Sequence, residues 1–248
     1  MLRRSFLAAA PLLAIQPRYR LIAHRGGVVG EGRPENSAEA LDAAITAGYW
    51  MAEIDIRRSK DGEPFLYHDS KFGKYHDTSA RPEDLTWREL SALRPKLQHF
   101  EEACARCNGK IRLMLDLKGE GWPADFYHRL LDLIDRGKVP GPVCSLGGPK
   151  LLPLFENTIQ VSINKETLKQ HEGPTQNFFL FELASDMDAE SLALARQRSV
   201  EPVAAINTFR YTMAKRDEEA GPREDFEKLR KLGIRSYQID SRYEALFS

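Results

Sequence analysis

The sequence has little cysteine and no excess of charge of either sign. Three of its 248 residues are cysteines, and Lys+Arg and Asp+Glu both number 36, so the formal net charge is zero. A chain balanced in this way lacks the basic face that a nucleic-acid partner usually requires, and we expect no such partner. The balance does not exclude a small anionic substrate, because a local cluster of side chains is enough to bind one.

The cysteines give no sign of a redox or zinc centre. Cys104 and Cys107 form one C-x-x-C pair within a stretch of helical pattern, and Cys144 is isolated. A zinc site would need a second pair of ligands, and redox use would need a thioredoxin-like context. We therefore expect structurally ordinary thiols.

No apolar run has the length of a membrane span. The N-terminal run covers roughly ten residues, whereas a spanning helix needs about 20. A basic start before such a run is typical of an export signal, and Arg3-Arg4-x-Phe6-Leu7 resembles the twin-arginine export motif. The alternative is a short N-terminal helix. We predict an export signal over residues 1–17, a periplasmic or extracellular location and no stable membrane span.

Short apolar runs recur along the chain, with helical patterns between most of them. We predict eight strands, at about residues 21–23, 52–56, 111–117, 142–146, 158–163, 178–183, 200–206 and 236–239. We predict helices at 38–47, 126–134, 149–155, 188–197 and 223–232. Strands that alternate with helices favour a parallel sheet, and eight such units predict a (β/α)8 TIM barrel.

One gap breaks this alternation, between the second and third predicted barrel strands. It holds a short predicted strand at 65–67, a polar stretch and a predicted helix at 100–107. Thr86 and Glu89 have the spacing of a capping box, which predicts a further helix start. We interpret residues 69–108 as a small insertion over the barrel mouth, within a single barrel domain at 18–248.

Three carboxylates have the spacing of a metal site. Glu53 and Asp55 are two residues apart in a predicted strand, so their side chains share a face, and Asp116 lies near the end of the next barrel strand. Burying them together is costly unless a cation neutralises them, and oxygen ligands suit Mg²⁺ or Ca²⁺. The alternative is that Glu53 and Asp55 form salt bridges with Arg57 or Arg58, or cap a loop.

Two histidines accompany these carboxylates. His24 follows the first strand and His68 follows the short one. Phosphodiester cleavage needs a base and an acid, and histidine can serve as either near neutral pH. Arg25 and Lys118 can neutralise charge on a phosphate group. We expect structural or exposed positions for the other four histidines: His76, His99, His128 and His171.

The order of these motifs resembles the glycerophosphodiester phosphodiesterase family. The matching motifs are His24-Arg25-Gly26, Pro34-Glu35-Asn36-Ser37, Glu53-x-Asp55, Asp61-Gly62, His68-Asp69, Leu85-Thr86-x-x-Glu89-Leu90 and Leu115-Asp116-Leu117-Lys118. Beyond Lys118 the resemblance is loose. It implies a (β/α)8 barrel, a divalent ion, two catalytic histidines and a small-molecule phosphodiester substrate that yields glycerol phosphate and an alcohol.

The resemblance also implies roles for single residues. These are acid–base catalysis by His24 and His68, metal binding by Glu53 and Asp55, and phosphate binding by Arg25 and Lys118. Asp116, the expected third metal ligand, stands where the family usually has Glu. The first loop is lengthened at residues 27–32, and no aromatic residue precedes Thr208.

Two other functions stay open at the level of sequence. One is a lipid phosphodiesterase similar to a phospholipase or a sphingomyelinase D, which would share the barrel and the paired histidines. The other is an inactive barrel that acts as a binding protein, because a fold by itself does not establish an activity.

Overall fold

A computed structural model describes residues 19–73, 76 and 78–248, so the predicted export signal lies outside the described residues. Its strands are β1 (Arg20–Ala23), β2 (Met51–Arg58), β3 (Pro64–Leu66), β4 (Arg112–Leu117), β5 (Cys144–Leu146), β6 (Gln160–Ile163), β7 (Phe178–Leu183), β8 (Glu201–Ile206) and β9 (Ser236–Ile239). Its α-helices are α1 (Ala38–Ala47), α2 (Trp87–Ser91), α3 (Phe100–Cys107), α4 (Ala124–Arg136), α5 (Lys165–Gln170), α6 (Ala189–Arg198), α7 (Thr208–Met213) and α8 (Ala220–Leu232).

Eight of these strands run parallel and close into a barrel. Their order around it is β1, β2, β4, β5, β6, β7, β8 and β9, and β9 pairs back to β1. The short β3 is antiparallel to the far end of β2 and does not take part in the closure. The predicted (β/α)8 barrel is confirmed, and every predicted barrel strand overlaps an observed one.

The interior of the barrel changes from apolar to charged along the strands. Met51 and Met114 belong to the apolar cluster near the amino ends of β2 and β4. Glu53, Asp55 and Asp116 follow them at intervals of two residues, on the same face of each strand. The intervening residues of β2 pack in the outer core beneath the helices. The strand register therefore collects the carboxylates at the carboxyl-terminal mouth, where TIM-barrel enzymes have their active sites.

The predicted helix at residues 149–155 is wrong. Two separate 3₁₀ turns occupy this stretch, at Pro149–Leu151 and Pro153–Phe155. Pro153 has no amide hydrogen and its ring clashes with a preceding turn of an α-helix, so a continuous helix is disfavoured there. The helices α5 and α7 were not predicted, because six residues are too few to give a helical period.

The segment between β3 and β4 has a small apolar cluster of its own. It contains the 3₁₀ turn Pro82–Asp84, α2 and α3, and α2 begins with the predicted capping box of Thr86 and Glu89. The cluster consists of the buried residues Phe65, Tyr67, Phe72, Leu90 and Leu97. This packing holds the segment beside the barrel and places His68 at its mouth.

The three cysteines are free and buried. Burial raises the pKa of the Cys107 and Cys144 thiols to about 12, so they stay protonated near neutral pH. This agrees with the expectation of structurally ordinary thiols. Within the described residues, no helix combines the length and the apolar character needed to cross a membrane.

Candidate active site

The chain turns sharply after β1 and thereby brings two sequence motifs together. His24–Gly26 forms a 3₁₀ turn in which Gly26 has φ 87°. A Cβ atom on Gly26 would lie 2.5 Å from the Cα of Asn36, so the close approach requires glycine. The Asn36 side-chain amide donates to Asp55 Oδ2 at 2.7 Å, and its carbonyl oxygen accepts from the Asp55 amide at 3.1 Å. The turn thus fixes the orientation of Asp55.

The three predicted metal ligands converge. Glu53, Asp55 and Asp116 each offer a carboxylate oxygen, and these oxygens lie within 4.8 Å of one another. Asp55 and Asp116 are direct partners in the β2–β4 register. Burial, followed by the charges of Asp55 and Asp116, raises the pKa of Glu53 well above its ordinary value. A divalent cation fits this set, because oxygen ligands suit a hard ion and its charge would relieve the repulsion.

Lys118 supplies positive charge beside the carboxylates. Its Nζ lies 3.0 Å from Asp55 Oδ1 and 2.6 Å from Asp116 Oδ2. Burial acts to lower the pKa of Lys118, but the two carboxylates outweigh burial and raise it. Burial likewise acts to raise the pKa of Asp55, and Lys118 is the main cause of its net lowering. Lys118 therefore remains an ammonium group at neutral pH.

The alternative ion pairs of the acidic residues with Arg57 and Arg58 do not form in the described structure. Arg57 pairs with Glu83, and its guanidinium donates to the backbone carbonyls of His68 (2.8 Å) and Lys118 (2.9 Å). Arg58 lies over the ring of Phe126, 5.9 Å from its centre. Arg57 therefore holds the two segments that carry His68 and Lys118 in place.

His24 is held between two carboxylates. Its Nδ1 lies 2.6 Å from Asp240 Oδ1, and its Nε2 lies 4.0 Å from Glu53 Oε2. Asp240 also accepts a hydrogen bond from the Thr208 amide at 2.6 Å. Burial acts to raise the pKa of Asp240, but the hydrogen bonds from His24 and Thr208 outweigh it and lower the pKa to about 2. Asp240 thus remains an anion that can orient the imidazole.

His68 and Arg25 contact each other in the site. His68 Nδ1 lies 2.8 Å from Asp69 Oδ1, and His68 Nε2 lies 3.4 Å from Arg25 Nη2. Arg25 Nη1 donates to Glu35 Oε2 at 2.8 Å, and the Arg25 amide donates to Glu53 Oε2 at 2.8 Å. Each histidine therefore has a carboxylate on its Nδ1, and Glu35 positions the arginine.

Two adjoining cavities open at the barrel mouth. The smaller one, here called the mouth pocket, has a volume of about 200 Å³. Its wall includes six of the seven predicted site residues: His24, Arg25, Glu53, His68, Asp116 and Lys118. The larger one, here called the side cavity, has a volume of about 570 Å³ and shares His24, Arg25 and Phe209 with the mouth pocket. Asp55 is buried beside the mouth pocket through its contacts with Asn36 and Lys118.

Sequence reasoning missed Asp240 and Phe209 as members of the site. Asp240 follows the last barrel strand, and that position was its only signal. Phe209 follows Thr208 on the short helix α7 and lines the mouth pocket. The aromatic side chain that is missing before Thr208 is therefore supplied by the residue after it. The other histidines lie outside both cavities; His99, for example, caps α3 and contacts Glu63 at 3.1 Å.

Asp240→Asn is expected to lower the free energy of unfolding in a pH-dependent way. Because the pKa of Asp240 is lowered from 3.8 to about 2, its charge stabilises the fold above pH 3.8, and this contribution is lost as the pH falls towards 2. The difference from the wild type is expected to reach up to about 2 kcal/mol at pH 6 and to shrink at pH 3. Denaturant unfolding across this range measures it, and a difference that grows towards low pH would contradict the assignment.

Comparison with known proteins agrees with this geometry. Residues 24–139 match the model of the glycerophosphoryl diester phosphodiesterase family. This stretch, just under half of the chain, is similar to that family. Human glycerophosphodiester phosphodiesterase 1 is 33% identical to it over 129 residues, which make up 46% of this chain and 38% of the human protein. The chain thus matches well under half the length of this curated relative.

Solved structures of glycerophosphoryl diester phosphodiesterases share the barrel. The enzyme from Parabacteroides distasonis superposes with a TM-score of 0.73 at 20% identity, over 94% of this chain and 87% of that one. A phosphodiesterase from Oleispira antarctica, solved in complex with the product sn-glycerol-3-phosphate, gives a TM-score of 0.71 at 19% identity, over 92% of this chain and 96% of that one. At these identities the likeness shows the fold.

The family match covers one part of the site and not the other. The seven predicted site residues all lie within residues 24–139, whereas Asp240 and Phe209 lie outside them. The phosphodiesterase family signature therefore covers the wall formed by β1, β2 and β4. The opposite wall, after β8 and β9, belongs to the part of this chain where the sequence resemblance is loose.

Proposed function

We propose that this protein hydrolyses glycerophosphodiesters to glycerol phosphate and an alcohol, with a divalent metal ion as cofactor. The observation that carries the proposal is the meeting of three carboxylates, two histidines and two cationic side chains around one pocket of about 200 Å³. A phosphodiester needs its negative charge neutralised, its nucleophile activated and its leaving oxygen protonated. The mouth pocket contains groups for all three tasks.

The cationic residues of the pocket hold the phosphate group. Glu53, Asp55 and Asp116 would bind Mg²⁺ or Ca²⁺, and the ion would supply positive charge that polarises a phosphoryl oxygen. Arg25, fixed by Glu35, offers a planar guanidinium suited to two phosphate oxygens. Lys118 offers a point charge in the same pocket.

The two histidines move the protons. One accepts a proton from the attacking water molecule, whose oxygen forms the new bond to phosphorus. The other donates a proton to the oxygen of the leaving alcohol as its bond to phosphorus breaks. Asp240 and Asp69 each accept a hydrogen bond from the Nδ1 of one histidine, so the Nε2 atoms are the ones that exchange protons with the substrate. The Nε2 of His68 also contacts Arg25 Nη2 at 3.4 Å, and this contact has to open when His68 reacts. The same carboxylates stabilise the imidazolium that forms during the reaction.

The proposal is tested by assaying the purified protein with glycerophosphocholine in the presence of Mg²⁺ or Ca²⁺. We expect metal-dependent release of glycerol phosphate and choline in equal amounts, measured by phosphorus NMR and a choline assay. Absence of turnover with either ion, over a panel of glycerophosphodiesters, would contradict the activity. Tight binding of a diester without turnover would favour the alternative of an inactive binding barrel.

A lipid phosphodiesterase is the second candidate, favoured by the apolar rim of the side cavity. Val29 and Phe209 line this cavity with 38% and 54% of their surface exposed, and Met213, on the same helix as Phe209, is 63% exposed. Exposed apolar side chains at the rim of a cleft can contact an acyl chain. A higher kcat/KM for lysophosphatidylcholine than for glycerophosphocholine would support this candidate, and the reverse order would contradict it.

A further inference from the structure

The side cavity has the size of a ligand site, and the glycerophosphodiester hydrolysis proposed above assigns no part of the substrate to it. Its volume of about 570 Å³ lies within the range of about 300–1,000 Å³ that is usual for small-molecule sites. It shares His24, Arg25 and Phe209 with the mouth pocket, so one molecule can extend through both. A phosphodiester has two arms. If the smaller pocket holds the phosphate and the glycerol arm, the leaving alcohol enters the side cavity.

Arg33 is held on the wall of this cavity by a compact loop. Its backbone pairs with Gly30 through two hydrogen bonds of 3.0 Å, and its Nε donates to the Val28 carbonyl at 3.1 Å. A Cβ atom on Gly30 would lie 2.9 Å from Arg33 Nη2, so glycine leaves room for the guanidinium. The Ser241 hydroxyl donates to the Val29 carbonyl at 3.0 Å and ties the loop to the segment after β9. The lengthened loop at residues 27–32 therefore positions this arginine.

The other charged groups on the cavity wall have partners. Glu35 binds Arg25 and Asp240 binds His24. Arg242 contacts Glu219 at 2.8 Å and Glu218 at 3.5 Å. Arg33, in contrast, has no carboxylate within 4.0 Å among the residues that the structure describes. Its two Nη groups remain available for an anion, and a guanidinium binds phosphate or carboxylate with two parallel hydrogen bonds.

We propose that Arg33 determines substrate preference, by binding an anionic group carried on the leaving alcohol. The preferred substrates are then glycerophosphodiesters whose alcohol ends in a phosphate or a carboxylate. This inference rests on the proposed function, because it assigns the side cavity to one arm of the same substrate. A neutral or cationic alcohol gains nothing from Arg33.

The test compares three diesters of glycerol phosphate whose leaving alcohols are glycerol, glycerol 3-phosphate and glyceric acid. The alcohols share a three-carbon skeleton and end in a hydroxyl, a phosphate and a carboxylate. We expect the wild type to cleave the two anionic diesters with a higher kcat/KM than the neutral one. Arg33→Gln is expected to reduce the ratio of kcat/KM for an anionic diester to kcat/KM for the neutral diester roughly tenfold. The change is expected mainly in the KM of the anionic diester, because a charge-assisted hydrogen bond made equally in the ground and transition states is lost.

Two more variants control the test. Gly30→Ala keeps Arg33 but displaces its guanidinium, and it is expected to reduce the same ratio. Arg223→Gln removes an exposed arginine on α8, away from both cavities, and is expected to leave the ratio at the wild-type value. Comparison of the phosphate and carboxylate diesters shows which anion Arg33 prefers. Thermal unfolding of each variant verifies that it is folded.

The outcomes separate this inference from the proposed function. A ratio that is unchanged in both Arg33→Gln and Gly30→Ala, or a wild type that prefers the neutral diester, would overturn the role of Arg33 while leaving the phosphodiesterase activity established. No turnover of any of the three diesters would instead contradict the proposed function, and this inference with it.

Discussion

Glu53→Gln is expected to reduce kcat/KM for a glycerophosphodiester by a factor of roughly 10³ or more. A bound metal ion contributes several kcal/mol to stabilising charge in the transition state, and each 1.4 kcal/mol corresponds to a tenfold change in rate. Glu53 is buried, as Asp55 is, and it also accepts the hydrogen bond of the Arg25 amide. Its replacement by an amide removes one charged ligand and preserves the shape of the side chain.

This loss is not expected to come from unfolding. Burial and neighbouring carboxylates raise the pKa of Glu53, so its charged form is disfavoured in the metal-free protein. Glu53→Gln removes that charge, and the free energy of unfolding of the metal-free variant is expected to equal or exceed that of the wild type. Activity assays and denaturant unfolding on the same samples separate the two effects.

Chelation tests the same metal dependence in the wild-type protein. Exhaustive treatment with a chelator is expected to abolish turnover, and added Mg²⁺ or Ca²⁺ is expected to restore it in the wild type but not in Glu53→Gln. Asp116→Glu is the finer variant, because the family usually has glutamate there; the added methylene group is expected to lower activity less than Asp116→Ala does. Full activity after chelation would contradict the metal dependence.

His24→Ala and His68→Ala are each expected to lower kcat by roughly 10²–10⁴, which is the usual contribution of a positioned proton-transfer group. KM is expected to change less, because Arg25 and Lys118 still hold the phosphate. Steady-state kinetics with glycerophosphocholine measures both constants. The matched control is His128→Ala, which removes an exposed histidine that pairs with Glu156 on the outside of the barrel.

A substrate with a better leaving group distinguishes the acid from the base. A nitrophenyl phosphodiester needs little protonation of its leaving oxygen, so it is expected to restore part of the rate in the variant that lacks the acid. The variant that lacks the base is not expected to recover. Wild-type rates in both single variants on glycerophosphocholine would remove these histidines from the mechanism.

The sequence predicts the barrel well because barrel strands have a local signal. Buried parallel strands are short apolar runs, and each of the eight was located from such a run. The faces of β2 and β4 follow from alternation alone, which is why Glu53, Asp55 and Asp116 could be expected to meet. The stretch at 149–155 was misread because its apolar residues fit a helical period, whereas Pro153 prevents a continuous helix.

The contacts between distant segments could not be predicted from the sequence. Asp240 reaches His24 because β9 closes the barrel against β1, and the two residues are 216 positions apart in the chain. Ser37 caps α1, whereas the neighbouring Asn36 binds Asp55, 19 positions further along the chain. Phe209 lies on a helix too short to leave a period, so its position at the mouth became apparent only in the folded chain.

The most direct test of the metal-dependent site is a crystal structure of the protein grown with Mn²⁺ or Ca²⁺, with anomalous diffraction used to locate the ion. We expect one strong peak in the mouth pocket, with oxygen atoms of Glu53, Asp55 and Asp116 at about 2.0–2.6 Å from it. The peak is expected to be absent from Glu53→Gln crystals grown in the same way. An active wild-type protein whose crystals show no ion between these three carboxylates would contradict the account.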